Sequence, residues 1–150
     1  MTGFNHGLTG AVIALAVKQP FLALSLAFVS HFVCDVIPHF GFSKSTPNYG
    51  QKVKLYSLTD LVLILILGLF IIFLHLPWVV LVAYVLAGSP DFVWFYRYYI
   101  KQEQTKSHSS KLNKFNQFHS NIQTSETVWP GLFIEFCYAI VMLIIFTKLS

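Results

Sequence analysis

The sequence predicts an all-α fold, an integral membrane bundle of about five transmembrane helices with one amphipathic helix at the interface. Three observations carry that expectation. Of the 150 residues, 55% are hydrophobic and only 11% are charged, where a soluble domain carries about 25% charged residues. The apolar residues fall into long runs separated by short breaks rich in Pro, Gly or Lys. The charged residues are concentrated in two segments, 41–54 and 101–127. The whole chain, 1–150, reads as a single membrane domain.

The first helix covers about 4–17 and is closed by Lys18-Gln19-Pro20. Pro at the start of a helix gives up an N–H that has no partner there anyway, so a second helix begins at once and covers about 21–38. So short a connection makes the two antiparallel neighbours. Gly41 to Lys54 combines Gly, Ser, Pro, Asn and three Lys and reads as a loop. A third helix covers about 56–76, and His75-Leu76-Pro77 forms a second tight turn into a fourth, about 77–89. That helix breaks at Gly88-Ser89-Pro90, because Pro removes a backbone donor and clashes with the preceding turn.

Residues 91–100 contain Trp94, Tyr96, Tyr98 and Tyr99, ring types that favour the headgroup level, so this segment is expected at an interface. Within the polar stretch, Leu112, Phe115, Phe118 and Ile122 recur every three or four residues. That spacing predicts an amphipathic helix over 111–123 lying on the membrane, with His119 on or beside its lipid-facing side. A last helix covers about 129–147. Cys34 and Cys137 each stand in an apolar run, which speaks against a disulfide framework.

Tight turns fix the side of every loop. Lys44, Lys52, Lys54, Arg97, Lys101, Lys106, Lys111 and Lys114 share one side, whereas Lys18 and Lys148 share the other. By the excess of positive charge on cytoplasmic loops, the first side is cytoplasmic. The expected location is therefore the cell's inner membrane, multi-pass, with the N-terminus inside.

The chemistry is concentrated in His31-Phe32-Val33-Cys34-Asp35-Val36-Ile37-Pro38-His39. Helical positions four apart share a face, so His31, Asp35 and His39 make one polar stripe about 12 Å long in apolar surroundings. Pro38 ends or kinks the helix and turns His39 from the stripe. Imidazole and carboxylate at this spacing suit a hard or borderline divalent ion. His6, Asp60, Asp91 and His119 fall in the same membrane half, and Glu135 is close enough to join them. Ionisable groups within a bilayer cost several kcal/mol and normally face one another, so the set is expected to form one site. Each also has a structural reading: Asp60 and Asp91 as helix-start residues, His6 as an interfacial one, and His119 as a headgroup contact. His75 lies on the opposite side and reads as structural, and His108 as solvated.

His31, Asp35, Pro38 and His39 resemble the zinc-binding helix of the zinc-dependent phospholipase C and single-strand nuclease superfamily. That superfamily uses a later His-x-x-x-Glu; here His119 is followed by Gln123 in place of the carboxylate. The whole-chain pattern is similar to small bacterial membrane-bound metal-dependent hydrolases, through His6 ahead of Gly-rich apolar sequence, Pro90-Asp91 and the late His119. The His-Arg and Thr-His-Ser motifs frequent in those proteins are absent.

These resemblances imply a zinc-type cofactor held by His6, His31, Asp35, His39, Asp91 and His119. Asp60 or Asp91 would be the general base, and a lipid-borne ester, foremost a phosphoester, the substrate at the cytoplasmic leaflet. Lipid is then both partner and solvent, and no nucleic acid is expected. The alternatives are a metal or proton transporter and a non-catalytic membrane scaffold.

Overall fold

A computed structural model describes residues 1–41, 47–95 and 111–150, without the side chains of 94, 95, 111–113 and 116. Arg97, Lys101, Lys106, His108 and the tyrosines at 96, 98 and 99 lie outside the described residues, as do the side chains of Leu112 and Lys111. The fold is helical almost throughout: α1 (Gly3–Ala16), α2 (Pro20–Val36), α3 (Tyr49–Phe73), α4 (Trp78–Gly88), α5 (Asp91–Phe95), α6 (Lys111–Ile122) and α7 (Val128–Leu149). Two short strands, β1 (His39–Phe40) and β2 (Ser125–Glu126), pair in parallel. The sequence gives no sign of them, since two-residue strands have no periodicity to read.

Local chemistry explains the boundaries. Thr2 Oγ1 accepts from Asn5 N at 3.3 Å at the start of α1, and Gln19 caps α2 through Leu22 N with Pro20 behind it. α2 ends at Val36, two residues before Pro38, because the residue before a proline is pushed out of the helical region. His75 takes the left-handed conformation, φ 51°, which lets α3 reverse into α4 in so few residues. The expected loop over Gly41–Lys54 is shorter than its composition suggests. Left-handed Asn48 precedes α3, and Tyr49–Lys54 are already helical, since Gly50 falls in the first turn, where a helix tolerates it best.

α1 is the hub. It packs most extensively on α4 and also touches α2, α3 and α7, and Asn5 through Val12 are all buried. Glycine makes this close approach possible. A Cβ on Gly10 would stand 2.4 Å from Ala83 O and 2.7 Å from Ala87 Cβ, so α1 and α4 meet nearly backbone to backbone, as small residues permit in membrane helices. Leu8, Ala11, Ala14, Ala23, Ile71 and Phe146 fill the middle of this core. Tyr84 donates to Ile64 O at 2.6 Å and ties α4 to α3.

Helices α3 and α7, at 25 and 22 residues, are long and apolar enough to cross a membrane. Helices α1, α2 and α4, at 14, 17 and 11 residues, reach at most the lower limit of the roughly 17–25 residues of a span. By length alone, the expected five spans reduce to two. The apolar side chains of α3 and α7 point outward, since only 11% of each apolar window is buried. Leu65, Ile66, Leu69 and Phe73 on α3, and Phe133, Phe136, Val141 and Ile144 on α7, are all exposed.

Candidate metal centre

Helices α1, α3 and α7 begin, and α2 and α4 finish, at one end of the bundle, and the ionisable groups gather there. The centre of the cluster is Asp35, fully buried on the last turn of α2. Its Oδ1 lies 3.1 Å from His6 Nε2, and its Oδ2 lies 2.7 Å from His119 Nε2 and 3.3 Å from His31 Nε2. The N-terminal ammonium of Met1 donates to Oδ1 at 2.9 Å in a buried ion pair. His31 Nε2 and His119 Nε2 are 2.9 Å apart. Asp91, at the start of α5 with its side chain 32% exposed, closes the group from the open side. Its Oδ1 is 3.8 Å from His31 Nε2 and 3.9 Å from His119 Nε2.

Each ring is positioned by its own element. His31 Nδ1 donates to Ala87 O on α4 at 2.8 Å, so the neutral ring turns the bare lone pair of Nε2 into the cluster. A backbone acceptor on the remote nitrogen is the arrangement metal-ligating histidines usually show. His6, on α1, stacks on His31 with centroids 4.0 Å apart, and its Nδ1 is buried without a partner among the described residues.

His119 arrives from α6 because the chain after that helix is tied to the end of α2. Thr124 N donates to Asp35 O at 3.1 Å, and His39 N donates to Thr124 O at 3.1 Å, ahead of the β1–β2 pairing. A backbone clamp thus sets the approach of α6. Phe32 packs against Phe115, Phe118 and His119. The expectation of a lipid-facing His119 is therefore corrected: the residue is 5% exposed and its ring is turned inward to Asp35, whereas Phe118 is 54% exposed.

As a hydrogen-bond network, the cluster relies on the Met1 ammonium and the Gln123 amide as donors to Asp35. The single hydrogen a neutral His119 can carry on Nε2 cannot point at both His31 Nε2 and Asp35 Oδ2. A cation among these atoms would also satisfy the lone pairs of His31 Nε2, His119 Nε2 and Asp35 Oδ2. Ligand atoms about 2.0–2.1 Å from a tetrahedral ion stand roughly 3.3 Å from one another. The separations here run from 2.7 to 4.0 Å and straddle that value. Two overlapping groups, His6/His31/Asp35 and His31/Asp91/His119, each bring three ligand atoms within 4.8 Å of one another. Imidazole with carboxylate suits zinc and its neighbours in the first transition row.

Of the expected ligands, then, the structure brings together His6, His31, Asp35, Asp91 and His119. His39 is not in either group. Pro38 ends the helical stripe before it, and its Nδ1 donates to Ile37 O at 2.8 Å. Burial holds the His39 pKa below its usual value.

Asp60 is also engaged elsewhere. Its Oδ2 accepts from Gly3 N at 2.8 Å and its Oδ1 from Phe4 N at 3.0 Å. The Asp60 carboxylate therefore caps the first turn of a different helix, α1, where free amides and the helix dipole favour negative charge. Glu135 likewise lies outside both groups, and Tyr56 OH donates to it at 3.3 Å.

Sequence reasoning missed Ala87 O and the Met1 nitrogen, because backbone atoms leave no signal in residue types. Gln123 was visible as the residue four after His119, and its Nε2 lies 3.4 Å from both Asp35 Oδ2 and His119 Nε2.

Comparison with known proteins gives no match: no family model, curated protein or solved structure is similar to this chain.

Proposed function

We propose that the protein is a membrane-embedded, metal-dependent hydrolase, with zinc the first candidate, acting on a lipid-borne ester at the cytoplasmic leaflet, foremost a phosphoester. The observation that carries this reading is the convergence of three imidazole Nε2 atoms and two carboxylates at one end of a bundle whose outer surface is apolar. Supporting a membrane location, α3 and α7 are neither buried like the core helices of a soluble protein nor placed like a leader sequence. Helix α2 presents Phe21, Leu22, Val29, Val33 and Val36 outward, and α4 presents Trp78, Val82 and Val85. Both therefore fit the same apolar solvent as short or tilted members of the bundle.

When bound at such a site, a zinc-type ion lowers the pKa of a coordinated water towards neutrality and supplies hydroxide as nucleophile. His6, His31 and His119 would hold the ion with Asp35 as the shared carboxylate. With Asp60 committed to α1, Asp91 is the group left to accept a proton from the reacting water, and its partial exposure puts it on the side from which substrate enters. With such an ion in place, the water would attack phosphorus as the ester P–O bond breaks, and Asp91 would pass the water's proton to the departing alcohol oxygen. Lys52 and Lys54 are exposed on the first turns of α3 and Lys114 on α6, at the same end of the bundle, where they suit an anionic headgroup.

A transporter would need polar groups through the thickness. The described core beyond Thr9 is instead Ala11, Ala14, Ile71 and Phe146, so the hydrolase is the reading we adopt.

The test is elemental analysis of protein purified in detergent, together with hydrolysis of a phospholipid in mixed micelles. Stoichiometric metal and turnover, both lost in His31→Ala and Asp35→Ala, are expected. Metal content unchanged in both variants overturns the site. Metal flux across proteoliposomes that tracks the cluster, without hydrolysis, would replace the hydrolase by a transporter.

A further inference from the structure

We infer that Gln123 is the specificity-determining contact of the site, a hydrogen-bond donor to an anionic oxygen of a phosphoryl group; the inference rests on the metal-centre reading of the neighbouring residues. Gln123 directly follows α6, and its Nε2 lies 3.4 Å from Asp35 Oδ2 and 3.4 Å from His119 Nε2. Beside a carboxylate oxygen an amide presents its NH₂ end, since its own carbonyl oxygen would be repelled. Both contacts are longer than the roughly 2.7–3.2 Å of a settled N–H bond to oxygen. The amide is therefore not held by its own bonds. The backbone of the next residue holds it: Thr124 N donates to Asp35 O, and Thr124 O accepts from His39 N, each at 3.1 Å.

The amide nitrogen carries two hydrogens and offers no lone pair to an ion. An ion on His31, Asp35 and His119 would take up Asp35 Oδ2 and the lone pair of His119 Nε2, the two atoms that Gln123 approaches. Its N–H groups would then face only the ligand on the open side of that ion. The Met1 ammonium cannot play this part, because it is fully buried and bonded at 2.9 Å to the other oxygen, Oδ1. Gln123 is exposed, so a ligand arriving from outside can reach it. Asp91 Oδ1 stands 3.9 Å from the same His119 Nε2. A donor and a proton acceptor thus meet at one ligand atom.

Charge decides the class of ligand. A carboxylate at position 123 would be a third acid beside Asp35 and Asp91 and would repel an anionic substrate. A neutral amide attracts a charged oxygen instead, and a hydrogen bond to an ionised acceptor is roughly twice as strong as one between neutral groups. A phosphoester presents anionic non-bridging oxygens, whereas a carboxylic ester is neutral. Gln123 therefore selects the phosphoester, at the expense of some affinity for the ion.

The experiment measures binding without turnover. Zinc-loaded protein in detergent is titrated by calorimetry with inorganic phosphate and, separately, with a phosphonate analogue of phosphatidate in mixed micelles; elemental analysis counts the zinc. Gln123→Met, of similar size but without a donor, should keep its zinc and bind both ligands about tenfold more weakly, as expected for a lost hydrogen bond to a charged group. Gln123→Glu should hold zinc more tightly and phosphate more weakly still, an opposite movement that a merely structural side chain would not produce. Unchanged phosphate affinity in Gln123→Met with zinc retained overturns the proposal and leaves the metal centre standing. An unaltered protein that takes up no zinc overturns the centre and the Gln123 contact with it. The phosphonate lipid should bind more tightly than inorganic phosphate, because its chains stay in apolar surroundings. The reverse order would keep the Gln123 contact and make a soluble phosphoester its ligand. Should one variant fail to fold, the other decides.

Discussion

At the residue scale, Asp35 bears the most of any side chain in the described protein. Three imidazoles, the Met1 ammonium and the Gln123 amide all point at its two oxygens. Asp35→Asn should abolish any metal binding and destabilise the fold by about 3–5 kcal/mol, as when one partner of a buried charged network is removed; elemental analysis and thermal unfolding in detergent measure this.

Gln123 makes the opposite case. Gln123→Glu brings a third carboxylate within about 3.4 Å of Asp35 Oδ2, so the chelated protein should melt at a lower temperature than the parent. With metal restored the order should reverse. His39 supplies a pH dependence. Its pKa in the folded chain is depressed by burial, so the unfolded chain binds more protons wherever pH lies below the ordinary histidine value of about 6.5. Its contribution to stability is complete above that pH and is lost as pH falls through it. His39→Gln should therefore melt with a weaker dependence on pH between about 7 and about 5 in chelator.

At the scale of elements, α1 depends on contacts that its own composition hides. Its first turn has no acidic residue, and the missing carboxylate is supplied by Asp60 from α3. Asp60→Ala should cost roughly 1 kcal/mol, the usual worth of a cap, and leave metal content unchanged; loss of metal would return Asp60 to the site. Gly10→Ala should cost about 1–3 kcal/mol by forcing α1 from α4, since the new methyl would meet backbone.

The helices themselves were legible in the sequence, because Pro20, Pro38, Pro77 and Pro90 punctuate apolar runs whose ends they nearly fix. The spacing of His31 and Asp35 was equally legible, since helical period alone puts them together. The inward turn of His119 was not, because it depends on Thr124 bonding across to Asp35 O, a contact between segments far apart in the chain. Asp60 misled for a similar reason: its partners are amides 56 and 57 residues away.

At the scale of the whole molecule, the surface is the dominant fact. Aliphatic and aromatic side chains on α2, α3, α4 and α7 stand in the open, whereas monomeric soluble proteins rarely expose more than a few hundred Å² of contiguous apolar area. In a lipid environment that surface is solvated, and the bundle holds together through small-residue contacts such as Gly10 with Ala83 and through its polar end. A metal centre there would stabilise the assembly by mass action, so chelation should lower the melting temperature of the unaltered protein and leave that of Asp35→Asn where it was.

The backbone clamp between Thr124, Asp35 and His39 has a consequence for the order in which the protein matures. His6, His31 and Asp35 all leave the ribosome well before His119, which follows Asp35 by 84 residues. The early half of the cluster thus waits, incomplete, while most of the bundle is synthesised. Only when residues 119–126 swing back onto the end of α2 does the last imidazole reach its place. Were a metal bound, full loading would be a closing event of biogenesis, and an ion held by His119 would act as the latch that keeps the late segment folded against the early one.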